Sequence, residues 1–189
     1  LLGEFKSHLA GLDVAVFEGV YGNPTAAQVM AGAAAYKAHA ADCVIGLGGG
    51  STMDAAKVMA AAVFYEGDPW DMMFNAQATP RLPTRALPIV TVPTLAATGS
   101  EMNNGSVITH RAKGAKLPFN SEHTYPVFSV LDPTKTYTLP LAQISNGVVD
   151  AFVHTVEQYL TYPVNAPVQD RFAESLLHTL IEVGPRLLA

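Results

Sequence analysis

The stretch Cys43-Val44-Ile45-Gly46-Leu47-Gly48-Gly49-Gly50-Ser51-Thr52-Met53-Asp54-Ala55-Ala56-Lys57 decides how the chain reads: an apolar run, three consecutive glycines, then a serine opening an amphipathic run. The pattern is strand, tight turn, helix. Glycines at such a turn admit an anion close to the backbone, and the first N–H groups of the following helix, with the positive end of its dipole, face that anion. A nucleotide cofactor is the natural occupant. Ser51 and Asp54 also stand in the S-x-x-D relation of a helix-capping box, a structural reading that can hold at the same time.

Working outward, residues 1–12 read as the tail of a helix, 13–18 as a strand built on Val14, Ala15, Val16 and Phe17, and 25–40 as an Ala-rich helix entered through Asn23-Pro24. The strand at 43–47 and the helix at 52–65 follow, and 88–94 resumes a strand. Strand, helix, strand, helix is the order of a parallel sheet with crossover helices, so the expected fold class is α/β with an N-terminal doubly wound, Rossmann-like domain. Residues 67–88, rich in Pro and Met, read as a surface loop. The small-residue turn from Leu95 to Glu101 lies at the carboxyl end of a strand, where ligands of open α/β sheets collect. Residues 106–110 and 127–131 read as a hairpin-like pair of strands bridged by the polar 111–125. Beyond Leu141 the pattern is helical, over 141–161 and 166–182, which puts the expected boundary between an α/β domain at 1–139 and the start of an all-helical domain at 140–189.

Composition limits the function. Hydrophobic residues make up 49 % of 189 and charged residues 14 %, the signature of well-buried elements. Net charge is −5 with eleven scattered Lys and Arg, so no basic stripe is present and nucleic acid is not an expected partner. No apolar stretch approaches the roughly 20 residues of a membrane span, and the single Cys43, read as core filler, forms no internal disulfide, so the expected location is the cytoplasm.

Asp150 and His154 stand four residues apart on a helix, hence on one face. They form either half of a divalent metal site or an ordinary helical ion pair. Lys57 and Lys116 are candidates to neutralise a pyrophosphate or reach a ribose. His8, His39, His110, His123 and His178 show no ligand spacing. Ser100, in Gly99-Ser100-Glu101, lacks the G-x-S-x-G elbow of a serine nucleophile. Gly46 and Gly48 begin a G-x-G-x-x-G fingerprint that Ser51 breaks, which disfavours a standard Rossmann dehydrogenase.

Four collinear motifs then combine: Gly48-Gly49-Gly50-Ser51-x-x-Asp54-x-x-Lys57, Pro93-Thr94 through Thr98-Gly99-Ser100-Glu101, Val130-Leu131-Asp132-Pro133, and Asp150-Ala151-Phe152-Val153-His154-x-x-Glu157. Together they resemble the iron-containing (group III) alcohol dehydrogenase family, in particular its NADPH-dependent aldehyde reductase and butanol dehydrogenase branch, over the whole chain. The resemblance implies that Asn23, Gly49, Gly50 and Ser51 contact a nicotinamide dinucleotide, NADPH or NADH. It further implies that Asp54 holds its ribose or nicotinamide end, that Thr94, Leu95 and Thr98 line the cofactor cleft, and that Lys116 reaches a ribose hydroxyl. Asp150 and His154 would be two ligands of a divalent metal, Fe2+ or Zn2+, with no catalytic residue beyond the metal ligands. The implied activity is reversible reduction of small aldehydes to alcohols by a homodimer. Relatives of polyol dehydrogenase or dehydroquinate synthase, and a non-catalytic nucleotide-binding fragment, are the alternatives. Family members are longer: the first strands and the remaining two histidine ligands have no counterpart here, so the chain is expected to be an internal portion of such an enzyme. Gly22 stands where the family commonly has proline.

Overall fold

Two parallel strands form the frame: β1 (Val44–Gly48) and β2 (Ile89–Pro93) pair from Val44 opposite Ile89 to Gly48 opposite Pro93, and β5 (Phe128–Ser129) adds in parallel to the other side of β2. The computed structural model describes residues 1–76 and 78–188. They fall into two units, one of Leu1–Thr94 with Gly99–Lys135 and one of Leu95–Thr98 with Thr136–Ala189.

In the first unit the crossover between β1 and β2 is α3 (Gly50–Ala62), which is buried on nearly every side. Its Ala56 and Ala60 share a core with Val44, Leu87 and Ile89 at the sheet. Its Ala55, Val58 and Met59 join a second core with Val29 and Ala33 of α2 (Ala26–Ala38), together with Trp70, Met72, Met73, Ile108 and Phe119. Alanines on both faces let α3 approach the sheet and α2 closely, while each large apolar side chain so buried contributes about 1.5–3 kcal/mol. α2 begins with a reciprocal cap: Thr25 Oγ1 accepts from the Gln28 N–H at 3.3 Å, and Gln28 Oε1 accepts from the Thr25 N–H at 2.9 Å. A short α1 (Leu2–His8) precedes it.

Several sequence expectations change. Residues 13–18 form no strand, because a strand exists by pairing and nothing among the described residues pairs with that segment. The hairpin is β3 (Gly105–His110) against β4 (Ala115–Asn120), closed by Gly114 at φ 57°, whereas residues 128 and 129 join the parallel sheet. β4 alternates regularly, with Ala115, Leu117 and Phe119 on the less exposed face and Lys116, Pro118 and Asn120 exposed, and it tolerates Pro118 because it pairs with β3 alone among the described strands. Within 67–88 the chain is not merely a surface loop. Asp68 caps a single 3-10 turn, Pro69–Met72, through the Trp70 N–H at 2.9 Å, and Trp70, Met72, Met73 and Leu87 are buried. Cys43 is exposed just before β1 rather than filling the core.

The second unit is a helical pair, α4 (Leu141–Tyr159) and α5 (Pro167–Leu187), with the short segment 95–98. The helices meet where Gly184 leaves room for Val148, since a Cβ at 184 would lie 2.7 Å from Val148 Cγ1. α5 runs on through Pro185, past the expected end at 182, although a proline inside a helix lacks the N–H that would donate to the carbonyl four residues back. No helix among the described residues is long and apolar enough to cross a membrane.

Candidate functional site

The glycine turn sits at the carboxyl ends of β1 and β2, which are tied together by the Thr94 N–H donating to the Gly48 carbonyl at 3.0 Å. Gly48 adopts φ 156°, and a Cβ there would lie 2.6 Å from Thr52 Oγ1. Only glycine lets the strand turn into α3 this sharply. Gly49 is the N-cap and Gly50 the first helical residue, with no side-chain cap. The S-x-x-D capping box therefore does not form, because both of its side chains are engaged elsewhere. Ser51 Oγ accepts from the Asn23 N–H at 3.3 Å, and Asn23 Oδ1 accepts from Lys116 Nζ at 2.8 Å. Asn23 sits at φ 59°, a left-handed conformation that asparagine tolerates. Three of the expected cofactor residues, from a loop, a helix start and a hairpin strand, are thus joined by hydrogen bonds beside Gly49 and Gly50.

One turn further along α3, Asp54 is clamped at both carboxylate oxygens. Oδ1 accepts from Ser100 Oγ at 2.7 Å and Oδ2 from the Val107 N–H at 2.9 Å. Burial pushes its carboxyl above the usual aspartate range, an effect opposed by those two donors and by the charges of Lys57 and Lys116. Lys57 does not reach outward as a phosphate-neutralising lysine would. It is fully buried, and Nζ donates to Ser100 Oγ at 3.0 Å, Asn103 Oδ1 at 2.9 Å and the Gly105 carbonyl at 2.9 Å. Desolvation lowers its pKa to about 8, with Asp54 and Glu101 partly compensating. The sequence brings up Ser100 only as a disfavoured nucleophile and as part of a motif; its bonds to Lys57 and Asp54, like the parts played by Asn103 and the Val107 N–H, span more than forty residues and leave no local signature.

In the second unit Leu95, Thr98, Asn146, Gly147 and Asp150 line an open concavity of about 190 Å³. Asp150 Oδ1 and His154 Nε2 face one another at 3.7 Å, both side chains half-exposed. His154 Nδ1 lies 3.2 Å from the Ala97 carbonyl. A carbonyl only accepts, so Nδ1 carries a proton, and Nε2 is the ring nitrogen turned toward Asp150. That is the outer-shell arrangement of a metal-ligating histidine. Two ligands about 2.1 Å from a common ion stand roughly 3 to 3.5 Å apart in tetrahedral geometry, close to the observed separation. The donor set fits a divalent transition metal as a partial site: no third His, Cys, Asp or Glu joins the pair among the described residues.

Comparison with known proteins identifies the family. Residues 1–133 match the model of the iron-containing alcohol dehydrogenases. The chain is 46 % identical over its full length to the NADPH-dependent aldehyde reductase YqhD of Escherichia coli, covering 48 % of that protein. It is 44 % identical over 95 % of its length to the probable NADH-dependent butanol dehydrogenase 1 of Bacillus subtilis, covering 45 % of it. The crystal structure of E. coli YqhD superposes with a TM-score of 0.93 over 99 % of this chain and 48 % of its own. NADH-dependent butanol dehydrogenase A of Thermotoga maritima, 34 % identical, superposes with a TM-score of 0.87 over 98 % of this chain and 45 % of its own. The chain spans about half the length of these relatives. With a family model matched over residues 1–133 and 46 % identity to a member over its full length, the chain belongs to the iron-containing alcohol dehydrogenase family.

Proposed function

We propose that the protein carrying this chain reduces small aldehydes to alcohols, reversibly, using NADPH or NADH and a divalent metal, Fe2+ or Zn2+. The observation that carries the metal part is the anchoring of His154 Nδ1 on the Ala97 carbonyl, which presents Nε2 toward Asp150. Support for the reaction class comes from the aldehyde reductase and butanol dehydrogenases to which the chain is similar. When bound, the metal supplies Lewis acidity toward a carbonyl oxygen and the nicotinamide supplies hydride.

The chain's own residues bind and orient. The start of α3 directs backbone N–H groups and the positive end of its dipole beyond the glycine turn, where diphosphate oxygens are stabilised. Asn23, Ser51 and Lys116 form a hydrogen-bonded rim that a ribose can join with little reorganisation, and Asp54 accepts from the ribose or nicotinamide end. Thr94 lines the cofactor from the end of β2, and Leu95 and Thr98 line it from the following segment. Asp150 and His154 hold the metal. Homodimeric assembly and a cytoplasmic location belong to the same proposal.

The test uses the complete protein. Metal content is measured, and oxidation of NADPH and of NADH is followed with butanal before and after chelation. The expected result is butanal-dependent oxidation that disappears with the metal and returns on adding Fe2+ or Zn2+, the preferred coenzyme being read from the same assay. Undiminished turnover by metal-free protein would overturn the reading.

A further inference from the structure

Lys57 has three ammonium protons and three acceptors around it: Ser100 Oγ, Asn103 Oδ1 and the Gly105 carbonyl. Fully buried, it has no proton left for a ligand. The consequence falls on Ser100. An ammonium can only donate, so the Ser100 hydroxyl must accept from Lys57, and its single proton is then available to Asp54 Oδ1, 2.7 Å away. With the Val107 N–H on Oδ2, the carboxylate is held in one orientation and keeps lone pairs for a ligand.

The turn that carries Ser100 is fixed independently. Ser129 Oγ donates to the Glu101 carbonyl at 2.7 Å, and Thr124 Oγ1 donates to the Asn104 carbonyl at 3.0 Å. A turn pinned from the sheet and from residue 124 does not need a buried ammonium merely to hold its path. An ion placed there at a desolvation cost calls for another role.

We infer that Lys57 is a positioning residue for the dinucleotide site, acting through the Ser100 hydroxyl to aim the Asp54 carboxylate and never touching the cofactor itself. This rests on the reading above in which Asp54 contacts the nicotinamide dinucleotide. Replacing Lys57 by methionine removes the donor of similar length, frees the Ser100 proton to turn elsewhere, and leaves Asp54 without its alignment.

The experiment is a double-mutant cycle in the complete protein, with NADPH and NADH titrated by fluorescence against the parent, Lys57→Met, Asp54→Asn and the double variant. Lys57→Met is expected to bind about tenfold more weakly, the scale of one charge-assisted hydrogen bond. Asp54→Asn is expected to lose at least as much, and the double variant to bind no more weakly than Asp54→Asn alone. A lysine that merely supports the fold gives losses that multiply, and that result overturns the inference, as does a folded Lys57→Met variant that binds like the parent. If Lys57→Met does not fold, Ser100→Ala replaces it in the same cycle with the same expected and overturning outcomes. A parent that binds neither coenzyme overturns the function proposed above and this inference with it, whereas a binding parent with multiplying losses overturns this inference alone.

Discussion

Two helices each carry an acid and a base at helical spacing, and the structure treats them in opposite ways. On α3, Lys57 is fully buried and Asp54 half-buried; they do not touch each other directly and are joined through Ser100. On α4, Asp150 and His154 are half-exposed, face each other at 3.7 Å, and only the far nitrogen of the ring is held, by the Ala97 carbonyl. The first pair is a finished polar network, built before any ligand arrives. The second is an open pair of donors whose geometry makes chemical sense around a third atom. The α3 pair is therefore preorganised by its own hydrogen bonds, whereas the α4 pair leaves its facing atoms open.

The largest expected effect breaks the open pair. In the complete protein His154→Ala is expected to lose metal and to lower turnover by more than about a hundredfold, while coenzyme affinity is retained, because the proposed dinucleotide contacts belong to other residues. Metal analysis and coenzyme titration on the same sample check it. Full metal content and turnover in the variant would show that the pair is no more than a helical ion pair.

Next comes the finished network. Lys57→Met is expected to destabilise the fold by about 2 kcal/mol at neutral pH, since the Gly105 carbonyl loses its donor and Asp54 loses its compensating charge. The pH dependence sharpens this. Burial lowers the Lys57 pKa from the usual 10.5 to about 8, so between those values the unfolded chain holds the proton that the folded one has released. Across that window this residue makes stability rise with pH, and below it the buried charge weighs fully against the fold. Denaturation followed from pH 7 to 11 should show the parent gaining relative to Lys57→Met above pH 8. Parallel curves would place the ammonium in a less desolvated setting.

A comparable effect is expected at the glycine turn, where geometry rather than charge decides. Gly48→Ala puts a Cβ at 2.6 Å from Thr52 Oγ1 on a backbone at φ 156°, a strain of about 1–3 kcal/mol. Weaker coenzyme binding should accompany the lower melting temperature, since the start of α3 shifts. A loss of stability with unchanged affinity would separate the turn from the site.

What the sequence disclosed follows the range of the interactions involved. The glycine turn, the β1–α3–β2 order and the D-x-x-x-H pair are local patterns, and all are present in the structure. The Lys57 network is not local: its acceptors lie 43, 46 and 48 residues away, and nothing near position 57 distinguishes a buried lysine from a solvated one. Conversely, the S-x-x-D motif is local yet fails as a cap, because Asn23 and Ser100 claim the two side chains. The strand expected at 13–18 and the hairpin expected from 106–110 with 127–131 failed for the same reason, since an apolar stretch marks a segment able to pair but not the partner it finds.

The smallest effect is the sharpest check on the contrast between the two helices. Asp150→Asn removes the charge from a half-exposed i, i+4 pair that solvent already screens, so without metal the unfolding free energy should change by no more than about 0.5 kcal/mol. Lys57→Met, at similar helical spacing from its own acid, should change it several-fold more. If the metal-free Asp150→Asn change instead exceeded about 1.5 kcal/mol, the α4 pair would be a structural element in its own right, and its half-exposed donors would no longer need an ion to explain them. A near-silent substitution that nonetheless removes metal binding from the complete protein leaves coordination as the work of this pair.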